Sequence, residues 1–261
     1  MKKYSKIYPI TDSEMDADYR LRPISAVMFF QDCFSRFMAS EYLASFDMIR
    51  KNIIWIIADL DIEFMDELPF WSDDIRVEVW LSEVSGLRIY TDFVIYHNEK
   101  PFARGVGCWF LLDANTRRPV PVSSVADKVG VVDELVMGKH HRMEFPESRK
   151  TVSEASYRIN SDDIDFNGHA NHKSYLNIAA KTLPADFRRK FRISRMSVRF
   201  QKECFLDDLL VCTVSEGASH DEIVYHIRKD GVDVCSGVSH WVPKGESTFI
   251  QDTELQIRPC R

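Results

Sequence analysis

The 261-residue chain has no uninterrupted apolar run approaching the roughly 20 residues that cross a bilayer. Its start, Met1-Lys2-Lys3-Tyr4-Ser5-Lys6, is followed by no apolar block. Both features predict a cytoplasmic protein without a membrane span. The six cysteines (Cys33, Cys108, Cys204, Cys212, Cys235, Cys260) are scattered without a CxxC spacing, so neither disulfides nor a zinc or dithiol site is expected. There is no surplus of basic residues, the net charge being −6, and hence no overall attraction to nucleic acid. An acidic partner would have to find a local basic patch. With 45% hydrophobic and 28% charged residues, the composition is that of a globular chain with a sizeable core.

The length fits two ordinary domains of about 100 to 150 residues each. Residues 3 to 12 read as a strand and residues 24 to 47 as a long helix that is apolar on most sides, with Pro23 at its start. Four β-branched and aromatic stretches follow, Ile53 to Phe64, Asp74 to Ser82, Arg88 to Tyr96 and Ala103 to Leu112, with a hairpin loop at His97-Asn98-Glu99-Lys100-Pro101. From residue 115 to 147 the pattern loosens into prolines, a serine pair and a charged stretch, which reads as a linker. The order then restarts: a strand at Ser156 to Ile159, a helix at Asn171 to Arg189, and strands at Phe191 to Arg199, Asp208 to Val214, Glu222 to Arg228 and Val232 to Trp241. Lys229-Asp230-Gly231 makes the last hairpin turn, and the tail from 244 to 261 has no periodicity.

The halves overlay as an internal repeat. Met15 to Arg20 stands opposite Ile164 to His169, and Asp61 to Glu67 opposite Ser197 to Glu203. An apolar helix followed by antiparallel strands is the order of a sheet wrapped round a helix. The expected fold is therefore α+β, a double hotdog of two tandem repeats, with domains at 1–114 and 148–243. In the first half Asp18 and Arg20 occupy the places of Asn167 and His169, and an arginine cannot act as a base. Catalysis is expected in the second half alone.

The densest chemistry lies in Ser161-Asp162-Asp163-Ile164-Asp165-Phe166-Asn167-Gly168-His169-Ala170-Asn171-His172-Lys173-Ser174-Tyr175, a turn leading into a helix. Unpaired backbone N–H groups there favour developing negative charge, such as a thioester oxyanion. Gly168 allows a positive φ, and Asp165 and Asn167 project the same way if the segment is extended. Helix capping by Asp165, Asn167 or Asn171 is the ordinary reading of any one of these residues. It gives no reason for His169 to accompany the others.

The string Asp165-x-Asn167-x-His169-x-Asn171 with Lys173-x-Tyr175 resembles the signature of plant and bacterial acyl-ACP thioesterases. Gln201-Lys202-Glu203-Cys204 is similar to the Arg-Arg-Glu-Cys segment of the same family. In the first half, Trp55 with Ile56 to Ile62, and Trp71 to Trp80, resemble it too, so the likeness runs from about Tyr4 to Trp241. The resemblance implies hydrolysis of a fatty acyl thioester on acyl carrier protein (ACP), by a double-hotdog protein without metal or organic cofactor. It also implies a catalytic set of Asp165, Asn167, His169 and Glu203, with Cys204 as a catalytic neighbour. Gly168, His172 and the Gln201-Lys202 pair depart from the family's pattern, which bears on specificity rather than on reaction type.

Within that set Glu203 is the candidate general base for water, with direct attack as the alternative, and His169 a hydrogen-bond donor to substrate or water. Asp165 would fix the histidine tautomer or position water, and Asn167 would polarise or orient the thioester carbonyl. A Cys204 nucleophile with His169 and Asn167 is the alternative, set against the small buried hydrophobe that a strand-end cysteine usually is. Val27, Met28, Phe29, Phe30, Phe34, Phe37 and Met38 are candidates for lining an acyl tunnel whose depth sets chain length. The basic run containing Arg188, Arg189, Lys190 and Arg192 is the candidate docking strip for the acidic carrier. An acyl-CoA thioesterase and a non-catalytic acyl-binding sensor are the competing functions, the sensor disfavoured because the first strand leaves no room for an effector segment. A homodimer is the further assembly considered.

Overall fold

The computed structural model describes residues 2–245 apart from 66, 141–142 and 146–148, so the expected 244–261 tail lies almost wholly outside the described residues. Strand β1 (Lys3–Pro9) leads through a one-turn 3₁₀ segment into helix α1 (Pro23–Ser40) and short helix α2 (Ser45–Ile49). Strands β2 (Ile53–Phe64), β3 (Asp74–Ser85), β4 (Arg88–His97) and β5 (Lys100–Asp113) complete the first half. After β6 (Pro119–Val120) and α3 (Ser123–Val129), the second half repeats the order with β7 (Thr151–Arg158), α4 (His172–Thr182), α5 (Ala185–Lys190), β8 (Phe191–Phe200), β9 (Leu209–Glu216), β10 (Glu222–Lys229) and β11 (Val232–Pro243).

All strands join one 11-stranded sheet in the order β1-β3-β4-β5-β2-β8-β11-β10-β9-β7, with β6 attached to β5. Each half thus contributes the same internal order, and the two meet where β2 pairs antiparallel with β8. At that seam Asp61 pairs with Ser197, its own counterpart in the repeat. Pairing of equivalent residues places a pseudo-two-fold axis there. Ion pairs on either side hold the seam: Arg199 donates to Asp59 at 2.8 Å, and Arg195 is bidentate on Asp61 at 3.1 and 2.7 Å.

Helix α1 packs on β3, β1 and β4, α4 packs on β9, β7 and β10, and the helices touch each other. This two-domain α+β, hotdog-like architecture buries Val27, Phe30, Phe37 and Met38 of α1 almost completely.

Several expected boundaries shift, each for a local reason. The long first helix stops at Ser40: Leu43 N–H bonds Met38 C=O at 2.8 Å and Tyr42 N–H bonds Ala39 C=O at 3.1 Å, with Tyr42 at φ 57. That is a left-handed helix stop, anchored by buried Leu43. The second helix breaks before Pro184, which holds Leu183 extended at ψ 141. Residues 119–134 of the expected 115–147 linker are built into the first half. Its β6 extends the sheet and α3 buries Val125; farther on, Val132 N–H bonds Leu81 C=O at 2.8 Å and Trp80 Nε1 donates to Glu134 C=O at 2.9 Å. Such a stretch looks loose in sequence because its apolar residues follow no period.

Candidate active site

The loop from Ile164 to Asn171 folds as a closed turn. Asp165 N–H bonds His169 C=O at 2.9 Å, Gly168 N–H bonds Asp165 C=O at 3.0 Å, and Asp165 Oδ1 accepts from Asn167 N–H at 2.8 Å. Gly168 takes φ 83, a left-handed value where a β-carbon is costly. The segment is therefore not extended, the condition under which Asp165 and Asn167 would project the same way, and the Asp165 side chain curls back to cap the turn. Ala170 N–H then bonds Cys204 C=O at 2.8 Å. This one bond brings His169 alongside Glu203.

His169 Nε2 lies 3.2 Å from Glu203 Oε1, while its Nδ1 is 3.7 Å from Asp165 Oδ1, too far for a hydrogen bond. Asp165 thus sits beside the imidazole without fixing its tautomer by a hydrogen bond. Asn171 does the capping, its Oδ1 accepting from Lys173 N–H at 2.9 Å at the start of α4. Among the described residues Asn167 Nδ2 reaches Asp165, at 3.5 Å, and its second N–H stays available to another acceptor.

One residue the sequence reading did not single out joins this group. Arg117, on the turn between β5 and β6, donates from Nη1 to Glu203 Oε1 at 3.0 Å. It comes from the first half, and no local motif marks it. Asp113 shapes its turn by accepting from Asn115 N–H, Thr116 N–H and Thr116 Oγ1 at 3.0, 2.7 and 3.0 Å.

These groups line a cavity of about 440 Å³ between the halves. Asp165, Asn167, His169 and Glu203 stand on one wall, and Phe34, Met38, Trp55 and Trp109 of the first half on the other. Phe34 stacks on Trp109 at 4.1 Å between centroids and meets Trp55 edge-on at 5.4 Å. Both indole N–H groups are occupied elsewhere, Trp109 on Thr91 Oγ1 and Trp55 on Leu43 C=O, each at 2.9 Å. Ring faces and edges are left for an apolar guest.

The other expected site residues fall outside this cavity. Of the acyl-tunnel candidates Phe34 and Met38 line it. Val27 and Phe30 are fully buried in the core, Phe30 against Phe93, and Met28 faces a separate cleft with Lys6, Tyr8 and Asp32. An apolar helix offers several faces to burial, and its sequence does not say which one meets the site. Cys204 is 0% exposed within the core cluster, and burial raises the pKa of its thiol, which disfavours the thiolate. The basic run 188–192 lies at the start of β8 and Glu203 just past its end. Ten strand residues put roughly 30 Å between them.

In the first half, the equivalent loop repeats the same bonds. Asp16 N–H bonds Arg20 C=O at 2.8 Å and Asp16 Oδ1 accepts from Asp18 N–H at 2.8 Å. Arg20 pairs with Glu67 at 3.0 Å, where the second half has His169 and Glu203. Lys244 closes the cluster on Asp18 and, at 3.2 Å, on Asp16. The fold of the site is duplicated, but here every charge is locked in ion pairs.

A hotdog-like two-domain fold, with one of two equivalent loops equipped by an imidazole and a carboxylate at an apolar cavity, defines the class. Within it, the acyl-ACP thioesterase N-terminal domain matches residues 1–129 and the acyl-ACP thioesterase C-terminal domain residues 147–243. The chain belongs to the acyl-ACP thioesterase family.

The chloroplastic palmitoyl-acyl carrier protein thioesterase of Gossypium hirsutum is 23% identical over 220 residues, 76% of this chain and 52% of that protein. A chloroplastic acyl-[acyl-carrier-protein] hydrolase of Cuphea viscosissima is 24% identical over 215 residues, 76% of this chain and 51% of its own length. This chain thus spans about half the length of those relatives. Among solved structures, an acyl-ACP thioesterase from Bacteroides thetaiotaomicron superposes with a TM-score of 0.81 at 21% identity, covering 92% of this chain and 98% of that one. The 12:0-ACP thioesterase from Umbellularia californica gives 0.81 at 17% identity, covering 93% and 98%. Both likenesses show the fold.

Proposed function

We propose that the protein hydrolyses the thioester of fatty acyl-ACP to a free fatty acid and ACP, on a tandem double-hotdog scaffold in the cytoplasm. The observation that carries this reading is the His169–Glu203 pair at the wall of an apolar cavity, 3.2 Å apart. A thioester needs a base for water and a donor for the oxyanion; a fatty chain needs a dry pocket. Five of the cysteines are buried free thiols, which suits a reducing compartment.

Both contacts of the Glu203 carboxylate with His169 and Arg117 fall on Oε1, so Oε2 is the atom we assign to the water proton. The resulting hydroxide forms a bond to the carbonyl carbon, and Asn167 Nδ2 donates to the oxyanion. Collapse breaks the C–S bond. The proton held by Glu203 passes to the departing sulfur, directly or through His169, leaving acid and thiol.

The carrier would approach the cavity mouth rather than residues 188–192. Arg50 and Lys51 follow α2, and Asn52 ties them to the Arg117 turn by donating from Nδ2 to Asp113 at 2.9 Å. Exposed Lys202 and Phe166, the latter at 82% exposure, line the cavity, and exposed Arg118 follows Arg117 in the chain. An acidic carrier is drawn to such cations with its acyl arm aimed inward.

Incubation with a ladder of acyl-ACPs, and with acyl-CoAs of the same lengths, followed by measurement of free fatty acids, tests the reading. Release from the ACP series is expected. No release from any ACP-linked chain would sink it, and faster release from CoA would name the rival carrier.

A further inference from the structure

Among the described residues, five buried side-chain polar atoms have no hydrogen-bond partner, and of these only His172 Nε2 belongs to a residue lining the large cavity. His172 is the first residue of α4, immediately after the Asn171 cap, and is 8% exposed. Its ring meets Phe200 edge-on at 5.7 Å, and Phe200 also packs against Tyr175. Burial pushes its pKa down to about 4, so the ring is neutral at the pH of catalysis.

A buried polar nitrogen without a partner is a cost to the fold, and native proteins keep few such atoms. Among the described residues no group reaches this one. A methylene of a plain acyl chain passing by would leave it unpaired, whereas an oxygen would satisfy it. The position favours an oxygen for a second reason, since the positive end of α4 stabilises partial negative charge there. A neutral imidazole also donates without surrendering its proton, as an electrophilic donor to a carbonyl must.

We propose that His172 Nε2 hydrogen-bonds an oxygen atom of the bound acyl thioester, an inference that rests on the thioesterase reading above. That oxygen belongs either to the thioester carbonyl or to a hydroxyl or keto group near the carboxyl end of the acyl chain. In the first case His172 is a catalytic residue. In the second it selects oxygenated acyl groups, because a site built around a hydrogen bond rejects the analogue that lacks it.

The test compares wild type with His172→Phe and His172→Gln on a saturated acyl-ACP and its 3-hydroxy counterpart of equal length, with Tm recorded for each protein. Phe keeps an aromatic ring against Phe200 and removes the hydrogen bond, so Tm should hold or rise while kcat/KM falls about tenfold or more; Gln should restore part of the loss. An equal fall on both substrates, carried by kcat, assigns the thioester carbonyl. A fall on the 3-hydroxy substrate alone assigns the chain oxygen. If the Phe variant does not fold, His172→Leu takes its place, and Leu equal to Gln on both substrates overturns the inference. Wild-type activity with a folded and fully active Phe variant also overturns it while leaving the thioesterase reading intact. Wild-type inactivity on every acyl-ACP overturns both.

Discussion

Arg117 and Glu203 come from different halves of the chain, yet the guanidinium of one lies 3.0 Å from the carboxylate of the other, on the same oxygen that faces His169. Arg117 adopts φ 56 on a turn fastened by Asp113, a conformation that glycine takes more readily. The first half thus holds a cation against the Glu203 carboxylate of the second. The site is composite.

Arg117→Gly separates this contact from the fold. Glycine suits the φ value, and a partly exposed ion pair contributes only about 0 to 1 kcal/mol, so Tm should change little. The expected effect is a kcat about tenfold lower with KM nearly constant, partly restored by added guanidinium. Steady-state kinetics beside a thermal melt decide it, and an unaltered kcat would reduce the pair to a surface contact.

Glu203→Gln and Cys204→Ala should give opposite results. Loss of the base is expected to lower kcat by about 100-fold or more with the fold intact. Cys204→Ala should keep kcat within a few-fold and cost about 1 kcal/mol of stability, since it removes a buried sulfur from the core. Turnover and melting of the two purified variants give the answer; an inactive, well-folded Cys204→Ala would restore the thiol as nucleophile.

His172 makes stability depend on pH. Its pKa is about 4 in the fold against 6.5 for the ordinary group, so the unfolded chain binds the proton first as pH falls. Its contribution is complete above pH 6.5, is lost as pH drops toward 4, and amounts to roughly 3 kcal/mol across that window. Denaturant melts of wild type and His172→Phe between pH 7 and 4 should show a shallower decline for the variant, and parallel curves would count against the buried neutral imidazole.

Charge reversal locates the carrier. Arg50→Glu with Lys51→Glu should raise KM for an ACP-linked substrate several-fold and leave a small pantetheine thioester unaffected. Arg188→Glu with Arg189→Glu, roughly 30 Å from Glu203 along β8, should leave KM for both substrates unchanged. The reverse pattern would return docking to the basic run.

The sequence by itself determined the repeat and most of its strands, because alternation, turn residues and strand length are local properties. Ile53 to Phe64 occupies the predicted β2, and Asp230-Gly231, with φ 51 and 77, makes the predicted hairpin turn. It also marked the His169 loop by its density of polar groups and Glu203 through the family resemblance, and showed that the counterpart loop carries Arg20 in the place of His169. Tertiary structure alone decided which face of α1 meets the cavity, so that Phe34 lines it while Val27 and Phe30 fill the core and Met28 lies in another cleft. It placed Arg117 on Glu203 across 86 residues of chain and put the basic run at the far end of β8. These relations depend on the seam where Asp61 meets Ser197. A strand's pattern shows which residues turn inward, but not which strand it will join or what that union brings to the mouth of a pocket.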